Sequence, residues 1–98
     1  KLHFMLRARA LVAFPGGFGT FDELFETLTL VQTGKVKPIP IILVGENYWR
    51  RAFDVEFLLD EGVIDAQDRH LFRYAESAQD IWAEIRRWGE RKEDLLFE

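Results

Sequence analysis

The fold is decided by the stretch Ala10-Leu11-Val12-Ala13-Phe14-Pro15-Gly16-Gly17-Phe18-Gly19-Thr20-Phe21-Asp22-Glu23. Its first five residues form a continuous apolar run that ends at a proline and two glycines, which is typical of a buried strand in a parallel sheet. Beyond the glycines, apolar side chains recur at helical spacing until Gly34, which is placed to end a helix. We therefore predict a strand over residues 10–14, a glycine-rich turn, and a helix over residues 20–33.

The predicted turn brings backbone N–H groups to the start of a helix. Gly16, Gly17 and Gly19 can adopt positive φ and let a ligand approach the backbone closely, because they have no Cβ. The first N–H groups of a helix lack intrahelical acceptors, and the helix dipole favours negative charge at the same end. A phosphate group is the natural occupant of such a turn.

Structural explanations of the same residues stay open. Glycine-rich turns between a strand and a helix are common in α/β proteins that bind nothing there. Thr20 and Glu23 also have the spacing of a capping box, in which Glu23 only satisfies backbone donors. Asp22 fits the preference for acidic side chains in a first helical turn. The spacing matches neither the Walker A loop nor the full G-x-G-x-x-G fingerprint.

The rest of the chain continues the alternation of strands and helices. Apolar patterning predicts strands over residues 39–44 and near 71–75, and helices over residues 47–60 and 78–88, with a polar tail at 90–98. This order is that of the second half of a doubly wound domain. We therefore expect an α/β fold, the C-terminal half of a Rossmann-like three-layer α/β/α domain with a parallel sheet, in which residues 1–98 form a single partial domain without its N-terminal half.

Composition excludes several classes of function. With 48% hydrophobic and 31% charged residues the chain is globular rather than disordered. No apolar run approaches the 18 residues of a membrane span, so we expect no membrane partner. The absence of cysteine removes thiolate chemistry, and two isolated histidines do not make a metal site. A formal charge of −4 argues against bulk attraction to nucleic acid.

Residues 15–23 match the signature P-G-G-x-G-T-x-x-E position for position, and on this motif the chain resembles the Lonely Guy (LOG) family, also described as possible lysine decarboxylases. The resemblance extends to about Trp88 through Phe25-Glu26, Lys37-Pro38, Ile41-Ile42-Leu43-Val44-Gly45 and Tyr48-Trp49. It does not favour decarboxylase chemistry, because Lys35 and Lys37 sit in a polar connection without a constellation for pyridoxal phosphate.

The resemblance implies hydrolysis of the N-glycosidic bond of purine or cytokinin nucleoside 5′-monophosphates, which gives free base and ribose 5-phosphate. By matching position, Gly16, Gly17, Gly19 and Thr20 would hold the 5′-phosphate, and Glu23 would be the catalytic carboxylate. Such a carboxylate stabilises the positive charge that develops on the ribose, or acts as a general base. Three carboxylates are weaker candidates for the same role: Asp22, Glu26 and Asp54.

The family motif also contains an Arg-Lys pair some two dozen residues before the glutamate, and this chain departs from it. Lys1 occupies the lysine position, so the arginine would precede the first residue. Arg7 and Arg9 are possible replacements that fit a solvated helix end better, and His3 is a weaker candidate still. We expect the missing half to supply the arginine and the 98-residue chain alone to have little activity.

The resemblance further implies an AMP-like nucleotide as the small-molecule partner, a homo-oligomer, a cytoplasmic location, and no cofactor or metal. One alternative from a different class stays open. A non-catalytic nucleotide-binding or sensor module could use the same glycine-rich turn, although it would have no need of Glu23. Release of adenine from adenosine monophosphate distinguishes the two, whereas base preference does not follow from these residues.

Overall fold

Three short apolar runs form a parallel sheet. A computed structural model of the protein describes residues 10–97, with side chains through residue 90. The strands are β1 (Leu11–Ala13), β2 (Ile41–Val44) and β3 (Arg73–Ala75), and they lie in the order β1-β2-β3. Both neighbouring pairs are parallel, and Val12 of β1 lies opposite Ile42 of β2. Parallel neighbours need crossover connections, and helices make them here.

Helices occupy most of the described connections. They are α1 (Phe18–Gln32), α2 (Glu46–Ala52), α3 (Val55–Asp60), a 3₁₀ helix (Ala66–Leu71) and α4 (Ala78–Phe97). Gly34 and Gly62 follow α1 and α3 with φ of 75° each, a conformation that suits glycine and ends a helix. The predicted end of a helix at Gly34 is confirmed.

The two faces of the sheet are covered by different helices. Alternate residues of a strand point to opposite faces, so Ile41 and Leu43 share one face and Ile42 points to the other. On the first face Ile41 and Leu43 join a buried cluster with Leu24 of α1 and Trp49 of α2. On the other face α4 packs against β2 and β3. Helices thus lie on both sides of a parallel sheet, which confirms the predicted α/β fold.

The predicted helix over residues 47–60 is wrong in one respect, because it is two helices. Phe53 is extended, with φ −150° and ψ 139°, and ends α2. Asp54 then begins α3 by accepting a hydrogen bond from the N–H of Phe57 at 3.1 Å. A carboxylate that binds its own backbone favours a new helix start over continuation of the old helix.

Other boundaries also differ from the prediction. Helix α1 begins at Phe18 rather than Thr20, and α4 continues to Phe97 rather than ending near residue 88. The 3₁₀ helix before β3 was not predicted. It begins with a capping box, in which the side chains of Asp65 and Asp68 each accept a hydrogen bond from the backbone N–H of the other residue. A segment of six residues with mixed polarity carries no periodic signal.

The predictions on residues 1–9, a helix end with His3, Arg7 and Arg9, lie outside the described residues. Among residues 10–97, no helix combines the length and apolar character needed to cross a lipid bilayer.

Candidate functional site

The three strands end at one edge of the sheet, where the glycine-rich turn lies. In parallel sheets, ligand sites form at the carboxyl ends of the strands. The turn after β2 is tied to the end of β3, because Gly45 N–H donates to the Ala75 carbonyl at 2.9 Å. Next to it, Glu46 N–H donates to the Glu76 carboxylate at 2.8 Å. Two backbone N–H groups, one bound to a carbonyl and one to a carboxylate, therefore hold together the edge beside the glycine-rich turn.

The glycine-rich turn presents the start of α1 without a capping side chain. Gly17 is the N-cap residue, in an extended conformation, and it makes no side-chain hydrogen bond. Its carbonyl accepts the N–H groups of Thr20 at 3.1 Å and Phe21 at 3.2 Å. The N–H groups of Phe18 and Gly19 precede these two and have no intrahelical acceptor. Both residues are exposed, so these donors are accessible to an anion.

Gly16, Gly17 and Gly19 do not use the positive φ that they are able to adopt. Among the described residues, positive φ is confined to Gly34, Gly45 and Gly62. Gly16 is required for a different reason, which is space: a Cβ built there would lie 2.3 Å from the Thr20 hydroxyl oxygen. At Gly17 and Gly19 a Cβ would meet nothing within 4 Å. The first glycine lets the turn close onto α1, and the other two leave their outer side open.

The capping-box interpretation of Thr20 and Glu23 is wrong. The N-cap is Gly17, so Thr20 is already the third residue of the helix and Glu23 the sixth. Asp22 lies beyond the first turn, which contains no acidic residue. The helix begins two residues before the threonine because Gly17, a tolerated N-cap, precedes it. The role of Glu23 as a backbone cap is thereby removed.

Glu23 is exposed and its carboxylate makes no hydrogen bond or ion pair within residues 10–97. It follows Thr20 by three residues, so the two side chains lie on neighbouring positions of one helix face. With a rise of about 1.5 Å per residue, they are separated by roughly 4.5 Å along the helix axis. An unpaired carboxylate therefore stands one turn from the open N–H groups, within reach of one small phosphorylated ligand.

Tyr48 of α2 supports the glycine-rich turn from behind. Its hydroxyl donates a hydrogen bond to the Gly16 carbonyl. The turn at Gly45, whose φ is 93°, lies close to Pro15, since a Cβ built on Gly45 would be 3.5 Å from the Pro15 ring. Sequence reasoning missed this role of Tyr48. The sequence showed only that a tyrosine lies in an amphipathic helix. The hydroxyl of a half-buried tyrosine usually needs a hydrogen-bond partner, but the sequence does not identify it.

A group of packed aromatic rings joins this support to the core. The ring of Tyr48 meets Trp49 edge-on, with centroids 5.2 Å apart, and stacks near Phe21 of α1 at 6.5 Å. Trp49 is fully buried, and its indole N–H donates to the Val44 carbonyl at 3.0 Å. Because close-packed interiors resist local shifts, Tyr48 approaches Gly16 from a rigid base.

The remaining candidate residues have structural roles or lie apart from the turn. Asp54 caps α3, as described above, and its carboxylate is used there. Lys35 and Lys37 are exposed in the connection after α1, in agreement with their interpretation as solvated loop residues. No group of three or more histidine and acidic side chains among the described residues is arranged to hold a metal ion.

Two cavities away from the turn differ in chemistry. An apolar cavity of about 170 Å³ lies against the C-terminal half of α1, from Phe25 to Gln32. An open groove of about 300 Å³ beside β3 is lined by Arg50 and Tyr74, among others. Burial raises the pKa of Tyr74, and the Arg50 guanidinium, 4.8 Å from the ring centre, opposes that shift. A hydrogen bond to Glu46 raises the pKa of Arg50.

Comparison with known proteins gives consistent matches over most of this sequence. The cytokinin riboside 5′-monophosphate phosphoribohydrolase LOG2 of Arabidopsis thaliana is 29% identical over 91 residues, 92% of this chain and 43% of that protein. LOG1 of the same plant is 33% identical over 87 residues, 88% of this chain and 41% of that protein. A probable enzyme of the same name from Oryza sativa, LOG4, is 33% identical over 79 residues, 80% of this chain and 34% of that protein.

The chain thus spans about two fifths of the length of the curated relatives it matches. A family model described as possible lysine decarboxylase matches residues 1–85, which include β1, the glycine-rich turn, Glu23 and Tyr48. The relatives carry the name of a nucleotide glycosidase rather than of a decarboxylase. The chain belongs to the family described as possible lysine decarboxylase, the Lonely Guy family of phosphoribohydrolases.

Proposed function

We propose that this chain carries the phosphate-binding turn and the catalytic carboxylate of a nucleoside 5′-monophosphate phosphoribohydrolase. The reaction breaks the bond between ribose C1′ and the base nitrogen, adds the oxygen of water to C1′, and transfers a proton to the departing base. Its products are free base and ribose 5-phosphate. The observation that carries the proposal is the open start of α1, with the Glu23 carboxylate, which has no partner within residues 10–97, one turn further along the helix.

In this proposal the first turn of α1 binds the 5′-phosphate. The exposed N–H groups of Phe18 and Gly19 donate to phosphate oxygens, and the dipole of a 15-residue helix adds favourable potential at the same point. Gly17 and Gly19 leave space for the anion, and the Thr20 side chain lies against Gly16 at the rim of the turn. An anchored phosphate fixes the distance of the ribose from the helix.

Glu23 acts on the ribose end of the same ligand. Positive charge develops on the ribose ring as the glycosidic bond breaks, and an ionised carboxylate close to C1′ stabilises it. The same carboxylate can accept a proton from the attacking water as a general base. An exposed carboxylate with no partner of its own among residues 10–97 is free for either task.

The complete activity needs more than this chain in our proposal. The chain covers only part of its relatives, and the Arg-Lys pair of the family motif is represented here by Lys1 alone. We propose that the other half of the domain and a second copy of the protein complete the site, and that the 98 residues alone do not turn over nucleotide. The cytokinin activity named for the relatives is one version of this reaction, and base preference belongs to residues outside this chain.

The decisive experiment replaces Glu23 in the full-length protein that carries this sequence. Glu23→Gln should reduce adenine release from adenosine monophosphate about 10²- to 10³-fold, because the charge is lost while the shape is kept. Binding of ribose 5-phosphate, measured by calorimetry, should remain. Glu61→Gln, an exposed glutamate at the end of α3, is the matched control and should retain wild-type release.

Two outcomes would contradict the proposal. If the wild-type protein binds adenosine monophosphate without releasing adenine, the chain is part of a nucleotide-binding or sensor module instead. If Glu23→Gln and Glu61→Gln release adenine equally fast, the catalytic carboxylate lies elsewhere. Chromatography measures the released base. Circular dichroism of each variant shows whether it is folded, so that loss of activity is distinguished from loss of structure.

A further inference from the structure

We infer that Tyr48 is a positioning residue for phosphate binding, because its hydroxyl fixes the orientation of the peptide group between Gly16 and Gly17. This inference rests on the proposed phosphate role of the glycine-rich turn and extends it to a residue outside the signature. The observation that carries it is the hydrogen bond from the Tyr48 hydroxyl to the Gly16 carbonyl.

The planarity of the peptide bond converts this hydrogen bond into control of an amide. The Gly16 carbonyl and the Gly17 N–H belong to one trans peptide group, in which they point in opposite directions. When Tyr48 holds the carbonyl on the core side, the Gly17 N–H faces away from the core. Gly17 is exposed, and its N–H has no acceptor within residues 10–97. Tyr48 therefore adds a third outward donor to those of Phe18 and Gly19.

Two adjacent glycines make such an anchor necessary. A peptide group flanked by residues without Cβ atoms rotates with little steric resistance. After rotation the Gly16 carbonyl would face the phosphate, and its partial negative charge would repel the anion. The hydroxyl of Tyr48 opposes that rotation, because the rotated peptide would leave a half-buried hydroxyl without its acceptor.

The surroundings of Tyr48 make it suitable as an anchor. Its ring packs against Phe21 of α1 and the buried Trp49, and its backbone belongs to α2, which begins at the Gly45 turn. Gly45 approaches Pro15, the residue before Gly16. Both the ring and the backbone of Tyr48 are thus fixed relative to the peptide group that its hydroxyl holds.

The test compares two tyrosines whose rings belong to the same network of packed aromatic side chains. Tyr48→Phe removes the anchoring hydroxyl and keeps the ring, whereas Tyr74→Phe removes the hydroxyl of another half-buried ring, which packs against Phe72 beside β3. Both variants are made in the full-length protein. For Tyr48→Phe, the Kd of ribose 5-phosphate should rise about threefold to tenfold, the effect of one lost hydrogen bond. For Tyr74→Phe it should not change.

Turnover separates positioning from a general structural effect. In Tyr48→Phe the KM for adenosine monophosphate should rise by the same factor as the Kd, while kcat changes less than twofold. An equal change of Kd in both variants, or none in either, overturns the inference.

A measurement on the wild-type protein needs no variant: on titration with inorganic phosphate, the NMR signals of the Gly17, Phe18 and Gly19 amides should shift together. If the Gly17 signal does not move, the inference is wrong.

Failure of the proposed function gives a different pattern. If ribose 5-phosphate binds more weakly to Tyr48→Phe than to the wild type, but the wild type releases no adenine, the result contradicts the proposed enzyme activity and supports the inference. A protein that binds neither ribose 5-phosphate nor inorganic phosphate contradicts both.

Discussion

The N-cap of helix α3 is Asp54, whose carboxylate accepts a hydrogen bond from the Phe57 N–H, whereas the N-cap of helix α1 is Gly17, which has no side chain. The other described helix starts resemble α3. The Glu76 carboxylate accepts the first N–H of α2, Ser77 accepts the Asp80 N–H in α4, and the 3₁₀ helix has a capping box. The difference shows which helix start is available to a ligand, because an N–H group that already has a protein acceptor gains little from a phosphate.

The largest effect on the start of α1 is expected when the space at Gly16 is filled. In Gly16→Ala the new Cβ would lie 2.3 Å from the Thr20 hydroxyl oxygen, so the Thr20 side chain or the turn itself must shift. We expect a loss of about 1–3 kcal/mol in the free energy of unfolding, the usual cost of overpacking. Chemical denaturation measures it.

Gly19→Ala is the matched control for that change. Nothing lies within 4 Å of its Cβ, and alanine is the better helix former, so stability should rise by up to about 1 kcal/mol. If phosphate affinity falls in this more stable variant, Gly19 serves the ligand. Equal effects of the two substitutions on stability would show that close approach to Thr20 does not matter.

A second substitution would make α1 begin as α3 does. The φ of −99° and ψ of −154° at Gly17 suit any residue, so Gly17→Asp can supply a capping carboxylate. We expect stability to rise by a few tenths of a kcal/mol. The affinity for ribose 5-phosphate, measured by calorimetry, should fall at least about tenfold, or roughly 1.4 kcal/mol, because the carboxylate takes the donors and repels the anion.

Gly17→Asn separates capping from charge, because its amide oxygen can occupy the same N–H groups without a negative charge. Its affinity should lie between those of the wild type and Gly17→Asp. Unchanged affinity in Gly17→Asp would mean that the start of α1 does not bind phosphate.

The smallest effect is expected from opening a helix start that is now filled. Asp54→Ala removes the cap of α3 and should lower the free energy of unfolding by about 1 kcal/mol. Phosphate affinity should stay at the wild-type value, because α3 has only six residues and its start is not part of the glycine-rich turn. Thermal unfolding and calorimetry on the same samples check both expectations, and a gain in phosphate binding would contradict the difference between α1 and α3.

The order of elements could be predicted because its signals are local. The apolar run before Pro15, the glycines and the helical spacing after them lie within two dozen residues, and each specifies its own segment. The family signature is local for the same reason. The glycine conformations were not predictable, because the freedom of Gly16 and Gly17 to adopt positive φ does not say whether they use it.

The other differences arise from contacts that no local pattern encodes. Asp54 was an available signal for the break between α2 and α3, but the apolar spacing on either side favoured one helix. The partner of Tyr48 lies 32 residues away in the chain, and only the parallel pairing of β1 with β2 brings it near. Phosphate binding by Gly16, Gly17, Gly19 and Thr20, and catalysis by Glu23, stay predictions.

The distance in sequence between Tyr48 and Gly16 also affects when the turn can form during synthesis. At about 5–20 residues per second, the 32 residues that separate them take roughly 2–6 s to translate. Throughout that interval the two glycines are outside the ribosome or in its tunnel without the hydroxyl that holds their peptide group. Under our proposal, the turn therefore becomes competent to bind phosphate late, because the residue that positions its peptide group is synthesised after α1 is complete.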